Sequence, residues 1–488
     1  MNLNEKQIEA IQHMDGPCVV TSCPGSGKCI TGESLIISNA ILVSEIKDNA
    51  VKDIIGVKTE DLSNIDLQQS KISEFVDSGY QKTVKIKTKN GYSIEGTYHH
   101  PIVIINKLGK FEWKHLDDIE IGDICPIWSN REKFNYEIDD KFYLMGLLLG
   151  DGCLTGAKSR KTISFHSEQN NISDKFCEIV NRIYGYEIHK LKDKRRKNLY
   201  SFNINKKGIT QQILETFGDV AHGACEKYLT KEMLIGSKGQ IASLIMGLFD
   251  TDGHVNLTTC EIMLCSKKMI DQLHVLLLHY GVFSHKTIKV INGKDYYRLS
   301  IYGNDYRRFV ENIGFYHEKK KKISLLILEK NKNSNKIIPN VKNLIGNIVK
   351  ELSLTKKSWY SQKYQHLIEK DGATLRLARQ KSFSKNGRNI TEDTILRIKN
   401  VFEDNNYTDK TFEYIKQLNG FSYSEVIEKE YSTEKKHVFD YVVPVSHNFI
   451  ANGFINHNTS VLVERTINLI NNGVRPQNIL CITFTNKA

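Results

Sequence analysis

The chain has 488 residues, a formal net charge of +12, 40% hydrophobic and 25% charged residues, a composition that at roughly 150 residues per domain suits about three globular domains. No apolar run reaches the about 18 residues of a membrane span and the Met1 end carries no signal-peptide pattern, so a cytoplasmic location with no membrane partner is expected. The ten cysteines include no CxxC pair, which argues against a zinc site, and free thiols suit a reducing compartment. The lysine and arginine excess points to a polyanionic partner, a solvated lysine-rich surface being the plainer account.

In chain order, the first feature is an interrupted loop. Residues 21–28 read Thr-Ser-Cys-Pro-Gly-Ser-Gly-Lys, the start of a phosphate-binding loop whose next residue should be Ser or Thr. Here it is Cys29. The hydroxyl pair Thr459-Ser460 stands directly after His457-Asn458, and removing 29–458 restores Pro-Gly-Ser-Gly-Lys-Thr-Ser-Val-Leu-Val. A segment that opens with Cys, closes with His-Asn and is followed by a hydroxyl residue resembles an intein. The outer pieces, 1–28 and 459–488, resemble the start of an α/β P-loop DNA helicase of the UvrD/PcrA/Rep type. That resemblance implies that Gln7 reads adenine, that Gly25, Ser26, Gly27 and Lys28 hold the ATP phosphates, and that Thr459 takes magnesium. It also implies that Thr483–Lys487 contact single-stranded DNA. Ser22 departs from the glycine of the general motif. Gly25 and Gly27 let backbone amides approach phosphate, and a following helix N-terminus favours negative charge. No segment supplies a second-strand acid or an arginine finger, so the helicase is expected to be a fragment that does not unwind DNA.

Residues 29–135 are β-rich in pattern: Thr83–Thr88 and Tyr92–Gly96 alternate, and Gly-bounded turns follow. Gly96-Thr97-Tyr98-His99-His100-Pro101 resembles the intein block that assists the first step, with Thr97 and His100 in the working positions and His99 the alternative. With Phe111–Leu116 and Ile121–Ile124 it resembles the N-terminal half of an all-β Hint splicing fold, and 419–458 supply the other half. Cutting a peptide bond without a protease needs a side-chain nucleophile at the junction. Cys29 can attack the Lys28 carbonyl if that carbonyl is polarised and the leaving amine receives a proton.

Residues 136–325 contain an internal repeat. Tyr143–Gly152 matches Ser243–Gly253, and each is followed by a strand-like and then a helix-like stretch: Ile163–Ser167 with Asp174–Tyr184, and Glu261–Ser266 with Met269–Tyr280. This resembles the α/β LAGLIDADG homing endonucleases, which implies double-stranded DNA as partner, a monomeric enzyme and magnesium as cofactor. Gly146 and Gly150, one helical turn apart, would let a partner helix approach. Asp151 and Asp252 would then lie side by side at helix C-termini, where the dipole and the twin charge disfavour both and divalent cations offset both penalties. Lys227 matches a lysine the family often has. Two basic strips, Lys192–Lys197 and Lys319–Lys322, offer phosphate contacts or solvated surface.

Residues 326–418 are lysine-rich, with helices expected at Val341–Leu352, Trp359–Leu367 and Glu392–Phe402, and read as an accessory DNA-contacting region. At the end, Phe439–Asn458 resembles the closing intein blocks. Asp440 and His447 fall on assisting positions, His457 on the residue that activates cyclisation of Asn458, and Thr459 on the second nucleophile, with no cofactor for splicing. The expected function is therefore self-splicing that joins Lys28 to Thr459, plus site-specific DNA cleavage. The competing readings are a decayed, DNA-binding nuclease, or a helicase with an inert insertion. Reactive residues at both edges count against the last.

Overall fold

A computed structural model describes residues 29–36, 41–42, 53–72, 74–154, 162–192, 199–329, 336–341, 344, 391, 395–396, 410–443, 446–457, 470 and 473–475. The expected phosphate-loop residues Gln7, Gly25, Ser26, Gly27 and Lys28 lie outside this set. So do the junction residues Asn458 and Thr459, most of the helices expected between 341 and 402, and all but Lys192 of the first basic strip.

Strand Thr83–Thr88 shows why the first unit is β: Val84 and Ile86 are buried while Lys85 and Lys87 turn outward, the period-2 alternation of a half-covered sheet. Seven strands form one sheet in the order Ile124–Trp128, Phe421–Tyr431, Thr83–Thr88, Ser93–Thr97, Ile30–Thr31, Lys436–Val442, Glu74–Gln81. Six form a second, ordered Phe111–His115, Pro101–Ile105, Phe454–His457, Asn448–Ala451, Leu35–Ile36, Ile41–Leu42. Strands from before residue 130 and after residue 420 interleave in both sheets. Ile30, Val84, Ile102 and Ile127 bury against Val426, Phe449, Phe454 and Ile455 in one core. Each segment alone would leave these faces in water, at roughly 25 cal/mol per Å² of apolar surface. The two segments therefore complete one another, and Cys29 and His457 end up in one body.

Between them sits an α/β unit. Its centre is a pair of helices, Asp140–Asp151 and Lys238–Thr251, largely apolar and buried over 142–149 and 241–250. Asp139 caps the first by accepting from the Phe142 amide at 3.0 Å, and a Ser237/Gln240 capping box starts the second. A Cβ on Gly146 would strike the Leu244 carbonyl oxygen, and one on Gly247 the Tyr143 carbonyl oxygen, so the two backbones touch at glycine. Each helix runs on into a four-stranded antiparallel sheet. The sheets are Gly152–Cys153, Ile163–Ser167, Tyr200–Ile204, Lys190–Lys192, and Gly253–Val255, Thr259–Leu264, Lys294–Tyr302, His285–Ile291. Strand order and connectivity are the same in both. The helices Asn170–Tyr184 and Lys267–Leu276 follow the second strand of each.

The two units dock through Tyr92, whose ring stacks on His274 with centroids 3.8 Å apart and whose hydroxyl accepts from the Ser284 amide at 3.2 Å. Two features depart from the expected boundaries. The Glu318–Glu329 helix continues through position 325. Phe412, Ile415 and Leu418 of the Lys410–Leu418 helix, expected in an accessory region, bury in the core of the β unit, because that helix covers an apolar face the sheets leave open. Among the described residues no helix is long and apolar enough to cross a membrane.

Candidate functional sites

The first site forms where the first described residue meets its strand neighbours. Ile30 pairs with Gly96 on one side and Phe439 on the other. A Cβ at Gly96 would come within 2.6 Å of the Cys29 carbonyl oxygen, so glycine is what lets the strand approach. Thr97 then brackets the Cys29 backbone: its Oγ1 accepts from the Cys29 amide at 3.1 Å, and its own amide donates to the Cys29 carbonyl at 2.9 Å. The Cys29 thiol, 2% exposed, lies 3.1 Å from the Ser78 hydroxyl, a partner the sequence did not flag.

A tight turn, with the His100 amide donating to the Thr97 carbonyl at 3.0 Å, carries His100 into a fully buried position. Its Nε2 meets Asn456 Oδ1 at 2.9 Å. The Asn456 amide cannot present its nitrogen there, because that nitrogen donates to the Phe454 carbonyl at 2.7 Å. Nε2 therefore carries a proton and donates to Asn456 Oδ1. His99 is exposed, with its ring against His115, so of the adjacent pair only His100 enters the site.

The closing segment places its residues on the Lys436–Val442 strand, at a corner, and on the Phe454–His457 strand. One position beyond the Ile30–Phe439 pair lie Cys29 and Asp440, and the Asp440 carboxylate accepts from the Tyr441 amide at 2.8 Å. His447 sits at a corner with φ +49°, a backbone conformation that costs a non-glycine residue about 1–3 kcal/mol. Its Nδ1 is buried without a hydrogen-bond partner among the described residues. His457, 3% exposed, ends the Phe454–His457 strand. Hydrogen bonds thus run from Cys29 through Thr97 and His100 to Asn456, the residue before His457.

The second site lies where the paired helices end. Asp151 is the last residue of one and Asp252 caps the other, and a Cβ on Gly150 would reach within 3.1 Å of the Asp252 carboxylate. Burial, and then the neighbouring Asp252 charge, push the Asp151 carboxyl up to about 6, while burial also raises Asp252. Lys227 reaches over the first helix end, donating to the Leu149 and Gly152 carbonyls at 2.6 and 3.1 Å. Lys320 does the same at the second, donating to the Phe249 and Asp250 carbonyls at 2.8 and 2.7 Å. Sequence reading singles out Lys227 and reads Lys320 only as part of a basic strip, whereas the structure places the two alike over the helix ends. The signal was there, since each lysine follows its aspartate at a like spacing. Asp250 positions Lys320: buried, it accepts from Tyr143 Oη at 2.8 Å and from the Tyr316 and His317 amides at 3.0 and 3.1 Å, just before the lysine's helix.

Two desolvated carboxylates that resist ionisation, ringed by lysines already committed to carbonyl oxygens, fit divalent cations. Among the described residues no cluster of three or more His, Cys, Asp or Glu adds further ligands. Magnesium held here would complete its shell with water and substrate oxygens.

The raised carboxyl gives a pH test. Between its ordinary 3.8 and about 6, folded Asp151 holds a proton that the unfolded chain has lost, so stability falls as pH rises through that window. Magnesium, were it held here, would need the ionised form and would offset this loss. The rise in melting temperature on adding magnesium is expected to be near zero at about pH 4.5 and to reach its plateau above about pH 7. A magnesium effect equal at both ends would contradict the site.

Residues 40–458 match the family described as the intein splicing domain, and residues 458–488 match the UvrD/REP helicase N-terminal domain. The replication factor C small subunit of Methanocaldococcus jannaschii is 27% identical over 328 residues, covering 64% of this chain and 17% of that protein. The replicative DNA helicase DnaB of Synechocystis is 24% identical over 476 residues, covering 91% of this chain and 50% of that protein. The chain thus spans half or less of the length of these relatives. A solved structure of a mesophilic variant of the homing endonuclease I-DmoI covers 36% of this chain and 89% of its own, at 17% identity and a TM-score of 0.29.

Proposed function

This chain belongs to the intein splicing domain family, and from that premise we propose that it cuts out its own residues 29–458 and joins Lys28 to Thr459. The observation that carries the reading is the hydrogen-bonded path from Cys29 through Thr97 and His100 to Asn456.

In the first step the Cys29 sulfur bonds to the Lys28 carbonyl carbon and the Lys28–Cys29 amide breaks. His100 takes the thiol proton on Nδ1 and passes it to the leaving Cys29 amine. Thr97 holds the Cys29 amide and carbonyl while this happens. The Thr459 hydroxyl oxygen then bonds to the same carbon, the C–S bond breaks, and the proton returns to sulfur. Asp440, next to Cys29, and His447, at its strained corner, assist these transfers. Finally the Asn458 side-chain nitrogen bonds to the Asn458 carbonyl carbon and the bond to Thr459 breaks. The nitrogen's proton goes to the Thr459 amine, with His457 as carrier. An oxygen-to-nitrogen shift leaves Lys28 and Thr459 in an ordinary amide.

The α/β unit, on this reading, is a duplicated LAGLIDADG nuclease carried within a Hint splicing domain, and both halves of its site come from one chain. Asp151 and Asp252 would hold magnesium, which when bound activates a water and stabilises the leaving oxygen of a phosphodiester. Lys227 and Lys320 hold the helix ends and place positive charge where a DNA backbone would lie. The outer residues would belong to a helicase that uses ATP, magnesium and single-stranded DNA once spliced.

Intact mass of the freshly expressed, folded chain tests the reading. A 56.0 kDa chain should give way to an excised piece and the joined outer pieces. A wild-type chain that stays whole through prolonged incubation would overturn it.

A further inference from the structure

The splicing chemistry described above assigns no role to Glu60, yet this carboxylate is built into the closing site. Its Oε1 lies 2.6 Å from His457 Nε2, with the two side chains 18% and 4% exposed. The contact is assembled from several sides. Asn448 pairs with His457 across the Asn448–Ala451 and Phe454–His457 strands. The Asn448 side chain accepts from the Val57 amide at 2.7 Å and donates to the Val57 carbonyl at 3.1 Å, which clamps the Asp53–Val57 strand beside it. Gly56 permits this approach, since a Cβ there would run into Asn448. Glu60 follows three residues after Val57. Trp113 closes the other side: its Nε1 donates to the Glu60 carbonyl at 2.7 Å, and its ring meets the His457 imidazole edge-on at 4.9 Å.

We infer that Glu60 is the positioning residue of the asparagine cyclisation, holding His457 with Nε2 as donor so that Nδ1 serves the Asn458–Thr459 peptide. A mostly buried carboxylate hydrogen-bonded to one imidazole nitrogen fixes the tautomer and ring orientation, and stabilises the imidazolium that forms while a proton is carried. The proton balance is unchanged: Asn458 Nδ2 gives up a proton, the Thr459 amine gains one, and Glu60 neither gains nor loses one. The same device serves the other end of the segment, where Asn456 orients His100. There a neutral amide suffices. At His457 a charge is available.

The inference rests on the splicing reading, and the test separates the two. In a Cys29→Ala chain only C-terminal cleavage remains, so its rate reports cyclisation alone. Glu60→Gln should slow it about tenfold and Glu60→Ala about a hundredfold, because a misplaced acid–base group forfeits much of the 10²–10⁴-fold such groups contribute. In an Asn458→Ala chain, thiol-induced cleavage at Cys29 should be unchanged by either substitution, which a general loss of folding would not allow. The ¹⁵N shifts of His457 should move from an Nε2-protonated tautomer towards a mixture. Cleavage at the parental rate in Glu60→Gln and Glu60→Ala, or equal slowing at both ends, would overturn the role of Glu60 while leaving splicing intact. Absence of C-terminal cleavage in the Cys29→Ala parent would overturn both.

Discussion

Replacing Cys29 and Asn458 together by alanine is expected to leave the chain whole at 56.0 kDa, with splicing reduced on the order of a thousandfold or more. The two positions fail at different steps, and single variants separate them. Asn458→Ala still forms the thioester, so an added thiol should release the piece that ends at Lys28. Cys29→Ala should still cyclise Asn458 and release the piece that begins at Thr459. Thr97→Ala keeps both nucleophiles but loses the hydroxyl that accepts from the Cys29 amide, and thiol-induced release should fall about a hundredfold. Intact-mass time courses read all four. Splicing by the double variant at a rate near that of the wild type would place the chemistry elsewhere.

Asp151→Asn or Asp252→Asn should abolish cutting of a duplex that spans the joined codons for Lys28 and Thr459, with magnesium present. Both substitutions preserve side-chain volume and remove a charge that burial already penalises, so the fold should be retained or slightly firmer. DNA binding and splicing should both survive, since Cys29, Thr97 and His100 belong to the β unit. Binding by wild type and variants should weaken steeply as salt rises, because phosphate contacts release counterions. Cleavage by either variant at the wild-type rate would remove that aspartate from the site. Specific binding by wild type with no cutting would identify a nuclease that has decayed to a binding module.

Different parts of these sites were legible to different degrees. The pairing of Thr97 with His100 could be read because a short turn carries both, and that turn is what the structure contains. The contact at Gly146 could be read because two like stretches recur and small residues mark where helices touch. The sequence reading prefers His100 over its neighbour His99 by its place in the block, and the structure buries His100 while leaving His99 exposed. Lys320 hid in a run of lysines, where one inward side chain looks like its solvated neighbours. Glu60 lies in a polar turn and Ser78 on the Glu74–Gln81 strand, and neither is marked by a motif in the sequence. Nothing local distinguishes them.

The junction residues proposed for splicing, and the periodicity that builds each element, are read from the sequence alone. A nucleophile, a cyclising amide and a two-residue alternation are properties of neighbouring residues. Only the tertiary structure decided which carboxylate meets which imidazole. Glu60 reaches His457, and Asn456 reaches His100, across more than 350 positions of chain. Those meetings depend on the register in which strands from the two ends interleave. That register is set by burying both segments' apolar faces in one core, a collective balance that no single residue carries.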